Sequence, residues 1–121
     1  MRRWLRSFGF AWQGVRTTIR REAHMRFHLF ATFLVALMGW TLHISRTDWL
    51  FVILFVALVW TTEIINTALE ILCNKVESRQ DPSIKAVKDM AAGAVLVSAI
   101  LALLGGILIF GPYLQAWINK N

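Results

Sequence analysis

Residues 90–118 run for 29 positions without one charged side chain, and this run restricts the fold more than any other feature of the chain. A bilayer span takes about 20 predominantly apolar residues. Two further runs meet or approach that length. Residues 27–44 carry only His28 and His43, near the ends, as titratable groups, and residues 49–74 carry two carboxylates, Glu63 and Glu70. With 121 residues the chain has length for one domain. Its 57% hydrophobic residues exceed the roughly 45–50% of soluble domains. A soluble bundle is the rival reading, but so short a chain cannot cover three such helices with polar surface. The expected architecture is all-α: an interfacial helix over 1–26, then membrane helices over 27–44, 49–74 and 90–118, with a cytoplasmic loop over 75–89. The lone Cys73 excludes an intrachain disulfide, and no cleavable leader is expected ahead of the first run.

The first 26 residues hold Arg2, Arg3, Arg6, Arg16, Arg20, Arg21 and Arg26, while Trp4, Phe8, Trp12, Val15 and Ile19 recur at helical spacing. An aromatic stripe beside a basic flank is the pattern of a helix lying in the membrane interface. A nucleic-acid arm would use the arginines equally well, but the apolar stripe leading into a membrane run favours lipid, so no nucleic-acid partner is expected. Lys75, Arg79, Lys85 and Lys88 follow the second run, so the arm and this segment hold eleven of the thirteen Lys and Arg residues. The turn between the first two runs, Ser45-Arg46-Thr47-Asp48, is neutral. The positive-inside rule therefore puts the N-terminus and the 75–89 loop in the cytoplasm and the C-terminus outside. Small residues at Ala94, Ser98, Ala102 and Gly106, with Gly93, Gly105 and Gly111 nearby, predict close helix packing in the third run; a lipid groove is the alternative.

The segment Glu63-Ile64-Ile65-Asn66-Thr67-Ala68-Leu69-Glu70 carries the chemistry. At 100° per residue, positions 63 and 70 fall about 20° apart, so Glu63, Asn66, Thr67, Glu70 and Asn74 form one polar stripe on an otherwise apolar helix. If hydrocarbon begins near Trp49, about 20 residues at 1.5 Å each exhaust it near Leu69. Glu70 then stands at the water edge and Glu63 about 10 Å deeper. A carboxylate at the centre of a span costs about 2.5–3.5 kcal/mol, so Glu63 needs a reason to be there. A structural carboxyl paired with a neighbouring helix is one reason. The alternative is chemistry: an edge carboxylate can hold a divalent cation, and a deeper one can take a proton from a lipid hydroxyl. Glu22, the one acid among the arm's arginines, and the Lys88-Asp89 pair are further candidates. Neither has a P-loop or protein-kinase signature beside it. A small proton-coupled transporter would use an intramembrane Glu too, and a non-catalytic scaffold would need none of these side chains.

The stripe, together with Lys88-Asp89-Met90-Ala91-Ala92-Gly93-Ala94-Val95-Leu96, Phe8-Gly9-Phe10-Ala11-Trp12-Gln13-Gly14-Val15-Arg16 and Arg20-Arg21-Glu22, closely resembles the bacterial integral-membrane diacylglycerol kinases, a family that includes the undecaprenol kinases. The likeness covers nearly the whole chain. It implies a homotrimer in the bacterial cell membrane that moves the γ-phosphate of ATP, with Mg2+, onto the hydroxyl of a lipid alcohol. Such an enzyme serves phospholipid metabolism or the recycling of undecaprenyl phosphate. By the same resemblance Glu63 is the general base, Glu22 and Glu70 hold the metal of MgATP, and Asn66 orients the site. Lys88 and Asp89 match nucleotide-binding positions. Arg3 matches an arginine at the site entrance, and Arg79, Gln80 and Asp81 fall at loop positions that face nucleotide in relatives. Two departures stand out. Asn74 replaces an Asp found in many members, and the loop reads Glu77-Ser78-Arg79-Gln80-Asp81-Pro82 where relatives often carry Glu and His before the Pro. Arg26-Phe27-His28-Leu29 and the Ser45–Trp49 turn look more like the branch with undecaprenol kinases, which leans the substrate toward undecaprenol over diacylglycerol.

Overall fold

A computed structural model describes residues 1–77 and 79–121. Its regular structure is four helices: α1 (Arg2–Arg21), α2 (Ala23–Thr41), α3 (Arg46–Val76) and α4 (Pro82–Lys120). The expected interfacial helix and first membrane helix thus meet at Glu22, a single extended residue (φ −107°, ψ 120°). Arg26 fixes this corner. Its Nη1 donates to the carbonyls of Ile19 at 3.2 Å and Arg20 at 3.0 Å, so a cation satisfies the open C-terminal end of α1. At 100° per residue the six arginines of α1 share an arc of about 140°, opposite Trp4, Phe8 and Trp12. Those three aromatics stay exposed, whereas Thr18, a turn from the corner, is buried.

α2 ends in a tight turn. The Ile44 N–H donates to Gly39 O at 3.2 Å and His43 N–H to Trp40 O at 3.3 Å, the Schellman pattern. His43 holds the left-handed position usually given to glycine, at φ 51°. Ser45 then caps α3, its hydroxyl accepting from the Asp48 N–H at 3.1 Å. At the other end of the chain's long hairpin, Asp81 caps α4 through Ser83 and Ile84 N–H groups, with Pro82 in the first helical position. Residues 82–89, expected as loop, are therefore the first two turns of α4. Ser78 of that expected loop lies outside the described residues.

α3 and α4 form the best-packed pair. The buried line on α4 is Ala91, Ser98 and Gly105, spaced by seven; on α3 Val52 and Val59 share that spacing, and Cys73 follows two such intervals on. Seven-residue spacing keeps one face toward a partner in a left-handed crossing. Four-residue small-residue spacing is not what the interface uses: Gly93, Gly106 and Gly111 have open space beside them, while a Cβ on Gly105 would collide with the Phe55 ring.

Burial is inverted relative to a soluble protein. Glu63, Thr67, Thr18 and Ser98 are buried, while Phe30, Phe33, Leu54, Leu103 and Leu108 are exposed. A compact soluble chain of this mass has about 6,600 Å² of surface; this one has 9608 Å². Among the described residues, α3 and α4 are long and apolar enough to cross a bilayer. This is an all-α membrane protein.

Candidate functional site

The polar stripe of α3 turns inward. Glu63 and Thr67 are each 2% exposed, Asn66 is half-buried, and Ile65 and Leu72 on the other side face outward. Thr67 sits where it does because its hydroxyl donates back to the Glu63 carbonyl at 2.9 Å. That bond satisfies the hydroxyl and leaves the Glu63 carboxylate free for other partners. Further toward the charged end, Glu70 and Asn74 are exposed. The stripe therefore runs from a buried carboxylate to an accessible one over about 10 Å.

Lys88 joins the stripe from α4. Its Nζ donates to Asn74 Oδ1 at 2.7 Å. The partner is a neutral amide, so the ammonium keeps its charge for an anionic ligand. Asp89 does not pair with Lys88; it forms an exposed ion pair with Lys85 one turn back, at 2.5 Å. Such a pair contributes at most about 1 kcal/mol and leaves Asp89 accessible. Asp81 uses one carboxylate oxygen to cap α4. The Arg79 N–H donates to Glu77 Oε1 at 2.9 Å, and the Arg79 and Gln80 side chains are exposed. Arg3 lies near the start of α1, exposed.

Glu22 is half-buried at the α1–α2 corner. It occupies the N-cap position of α2, yet its side chain caps nothing. The sequence offered no sign that Glu22 would be the joint itself. α1 packs on both α2 and α3, which brings this arm against the helix that bears Glu63 and Glu70. Among the described residues no three His, Cys, Asp or Glu side chains converge as a cage for a metal ion. Glu22, Glu63 and Glu70 all lack a salt-bridge partner among the described residues; Glu22 is half-buried and Glu70 exposed. Carboxylate oxygens are the hard donors that Mg2+ takes, one or two at a time, with phosphate and water completing its shell.

Beside the stripe, an apolar groove of about 700 Å³ runs between α2, α3 and α4. Val59 and Trp60 line its α3 side, ending one turn before Glu63; Ala99, Ala102 and Gly106 line its α4 side. Of the expected four-residue row, Ala102 and Gly106 thus line the groove, while Ser98 belongs to the buried seven-residue line that serves packing. Two links escaped the sequence altogether: the Lys88–Asn74 bond, between residues 14 apart, and a bond from Trp60 Nε1 to Thr32 Oγ1 at 3.1 Å.

An accessible carboxylate, a buried one deeper in the same stripe, an ammonium held by a neutral amide and an adjoining apolar groove suit a reaction between a water-soluble anion and a lipid. Comparison with known proteins agrees. The family described as prokaryotic diacylglycerol kinase matches residues 9–110. An undecaprenol kinase of Bacillus subtilis is 34% identical over 114 residues, 94% of this chain and 93% of that protein. A diacylglycerol kinase of Synechocystis is 34% identical over 93% of this chain and 65% of its own length. A diacylglycerol kinase of Escherichia coli is 28% identical over 83% and 82%. The chain belongs to the prokaryotic diacylglycerol kinase family and is a lipid kinase.

Proposed function

We propose that the protein transfers the γ-phosphate of ATP to the hydroxyl of a membrane lipid alcohol, with Glu63 as general base. The observation that carries the assignment is Glu63 itself: a carboxylate 2% exposed, one turn from an apolar groove, on the stripe that leads out to Glu70 and Lys88. Topologically, we propose three crossings by α2, α3 and α4 in the cell membrane. α1 would lie in the interface, and the N-terminus and the α3–α4 connection would face the cytoplasm. The working assembly would be a homotrimer. Arg3, Arg79, Gln80 and Asp81 would lie around the nucleotide entrance.

In this mechanism the lipid hydroxyl approaches Glu63 from the bilayer. The carboxylate accepts its proton as the oxygen forms a bond to the γ-phosphorus and the bond to the ADP oxygen breaks. The products are ADP and a lipid phosphate. Phosphoryl transfer asks a protein mostly for alignment and charge neutralisation. Lys88 neutralises phosphate oxygens, Asn74 holds Lys88 in place, Asn66 orients the stripe, and Asp89 stands at the nucleotide side. Glu22 and Glu70 would hold Mg2+, which would supply positive charge beside the nucleotide phosphates. Undecaprenol is the preferred acceptor in this reading, because the Bacillus subtilis relative named for that activity aligns along 93% of its length.

Purified protein with radiolabelled ATP, Mg2+ and a panel of lipid alcohols tests this directly. Labelled lipid phosphate is expected, with undecaprenol labelled faster than diacylglycerol. Glu63→Gln should lower kcat by about 10²–10⁴, the usual contribution of a positioned general base, with the helical circular-dichroism signal unchanged. Full activity in Glu63→Gln removes Glu63 as the base. Proton flux without ATP would favour a transporter instead.

A further inference from the structure

The groove is crossed by one polar tie in an otherwise apolar zone. Trp60 Nε1 donates to Thr32 Oγ1 at 3.1 Å, and Thr32 Oγ1 donates on to the His28 carbonyl at 2.7 Å. Every donor in this relay is satisfied, so the indole is fixed against α2 at no polar cost. Trp60 and Thr32 both line the 700 Å³ groove and also a separate 260 Å³ pocket on the far side. The indole is therefore a partition between two apolar spaces. It stands three residues, about 4.5 Å of rise, before Glu63.

The place of the groove selects its occupant. Its α4 wall runs from Ala99 to Leu114, about 22 Å at 1.5 Å per residue, and its α3 wall ends at Trp60, one turn before Glu63. The lining is almost wholly apolar along that length, so it suits a hydrocarbon chain whose polar end stands at the carboxylate.

We infer that this groove seats the hydrocarbon tail of the lipid alcohol, and that Trp60, braced by Thr32, is a positioning residue that closes the groove below Glu63 and sets which tails place their hydroxyl at the carboxylate. The inference rests on the reading of Glu63 as the site of transfer. The expected role of Trp60 concerns chain register, so it touches lipid KM and chain preference and not the nucleotide.

The test compares Trp60→Phe, Thr32→Val, the double variant and Trp60→Ala in detergent micelles, with a short prenol, a long prenol and a diacylglycerol. Losing one hydrogen bond of about 1 kcal/mol predicts a rise of about fivefold in lipid KM for each single variant. The double variant should be no worse than either single, because the two side chains act as one pair. KM for ATP should hold while the Tm falls by a few degrees, the loss of about 1 kcal/mol at one hydrogen bond, and Trp60→Ala should flatten the ratio of kcat/KM between long and short prenols. A brominated prenol should quench the intrinsic fluorescence of the wild type more than that of Trp60→Phe, and equally well in the background of Glu63→Gln. That last arm needs no catalysis, so it separates the groove from the assignment of the base. Unchanged chain preference, losses shared equally by ATP and every lipid, or quenching identical with and without Trp60 would each overturn the inference.

Discussion

Lys88 and Asn74 show what a single substitution does to a charged site. A carboxylate in place of Asn74 would sit 2.7 Å from the ammonium and compete with phosphate for it. Both residues lie near water, where an ion pair contributes only about 0–1 kcal/mol. Asn74→Asp is therefore expected to raise KM for ATP by less than about fivefold. Lys88→Met removes the cation itself. Hydrogen bonds to charged groups contribute about 1.5–3 kcal/mol, so kcat/KM for ATP should fall by roughly 10- to 150-fold with lipid KM unchanged. Steady-state kinetics with each substrate varied in turn checks both, and a collapse in Asn74→Asp as deep as in Lys88→Met would contradict the neutral-amide role. The inward direction of Glu63 was legible in the sequence, because a helical stripe with two carboxylates leaves its apolar opposite face to lipid. The hold of Asn74 on Lys88 was not. It depends on where α3 and α4 cross, which no local pattern records.

Among the helices, the α3–α4 pair and the α2–α3 turn carry the packing that the sequence announced only in outline. The existence of the long apolar helices came from apolar length; the helix ends came later, because Pro82 and Asp81 start α4 two turns before its uncharged run. The glycines separate cleanly. A methyl on Gly105 meets the Phe55 ring, whereas one on Gly106 meets nothing within 4 Å. Gly105→Ala should cost about 1–3 kcal/mol by overpacking and push Phe55 into the groove it lines, while Gly106→Ala should stay within about 0.5 kcal/mol. Thermal unfolding in detergent distinguishes them, and equal stability of the two variants would place the α3–α4 contact elsewhere. At the other end, the Tyr113 hydroxyl donates to Asp48 Oδ2 at 2.6 Å and accepts from the Ser45 N–H at 3.0 Å. The tie pins α4 to the α2–α3 turn across 65 residues, beyond the reach of any sequence pattern. The Tyr113 hydrogen bond, then that of Ser45, holds the Asp48 carboxyl below its ordinary value. A carboxyl lowered in the folded state contributes stability above about pH 4, its unfolded value, and loses it as pH falls through the folded value. Tyr113→Phe should thus lower the Tm at pH 7, with the gap to wild type closing below about pH 4. A gap constant across that range would show that the tie is not charge-linked.

For the molecule as a whole, the number of crossings turns on α2. At 19 residues it spans about 28 Å, just short of the hydrocarbon core, whereas α3 and α4 exceed it at about 46 and 58 Å. If α2 crosses, the basic arm and the α3–α4 connection share one side and Asn121 lies on the other. If α2 lies flat, the arm and Asn121 share a side, and the connection carrying Lys75, Arg79, Lys85 and Lys88 stands opposite seven arginines. The second arrangement splits the positive charge across the membrane, against the positive-inside bias. It also parts Glu22 from Lys88. Single cysteines at Ser7, Gln80 and Asn121, each in a Cys73→Ala background, separate the two. With an impermeant maleimide on intact cells, only the cysteine at 121 should react; those at 7 and 80 should react after permeabilisation. Labelling of 80 alone would leave α2 on the surface and the arm on the same side as the C-terminus, and no shared site for nucleotide could then include the arm.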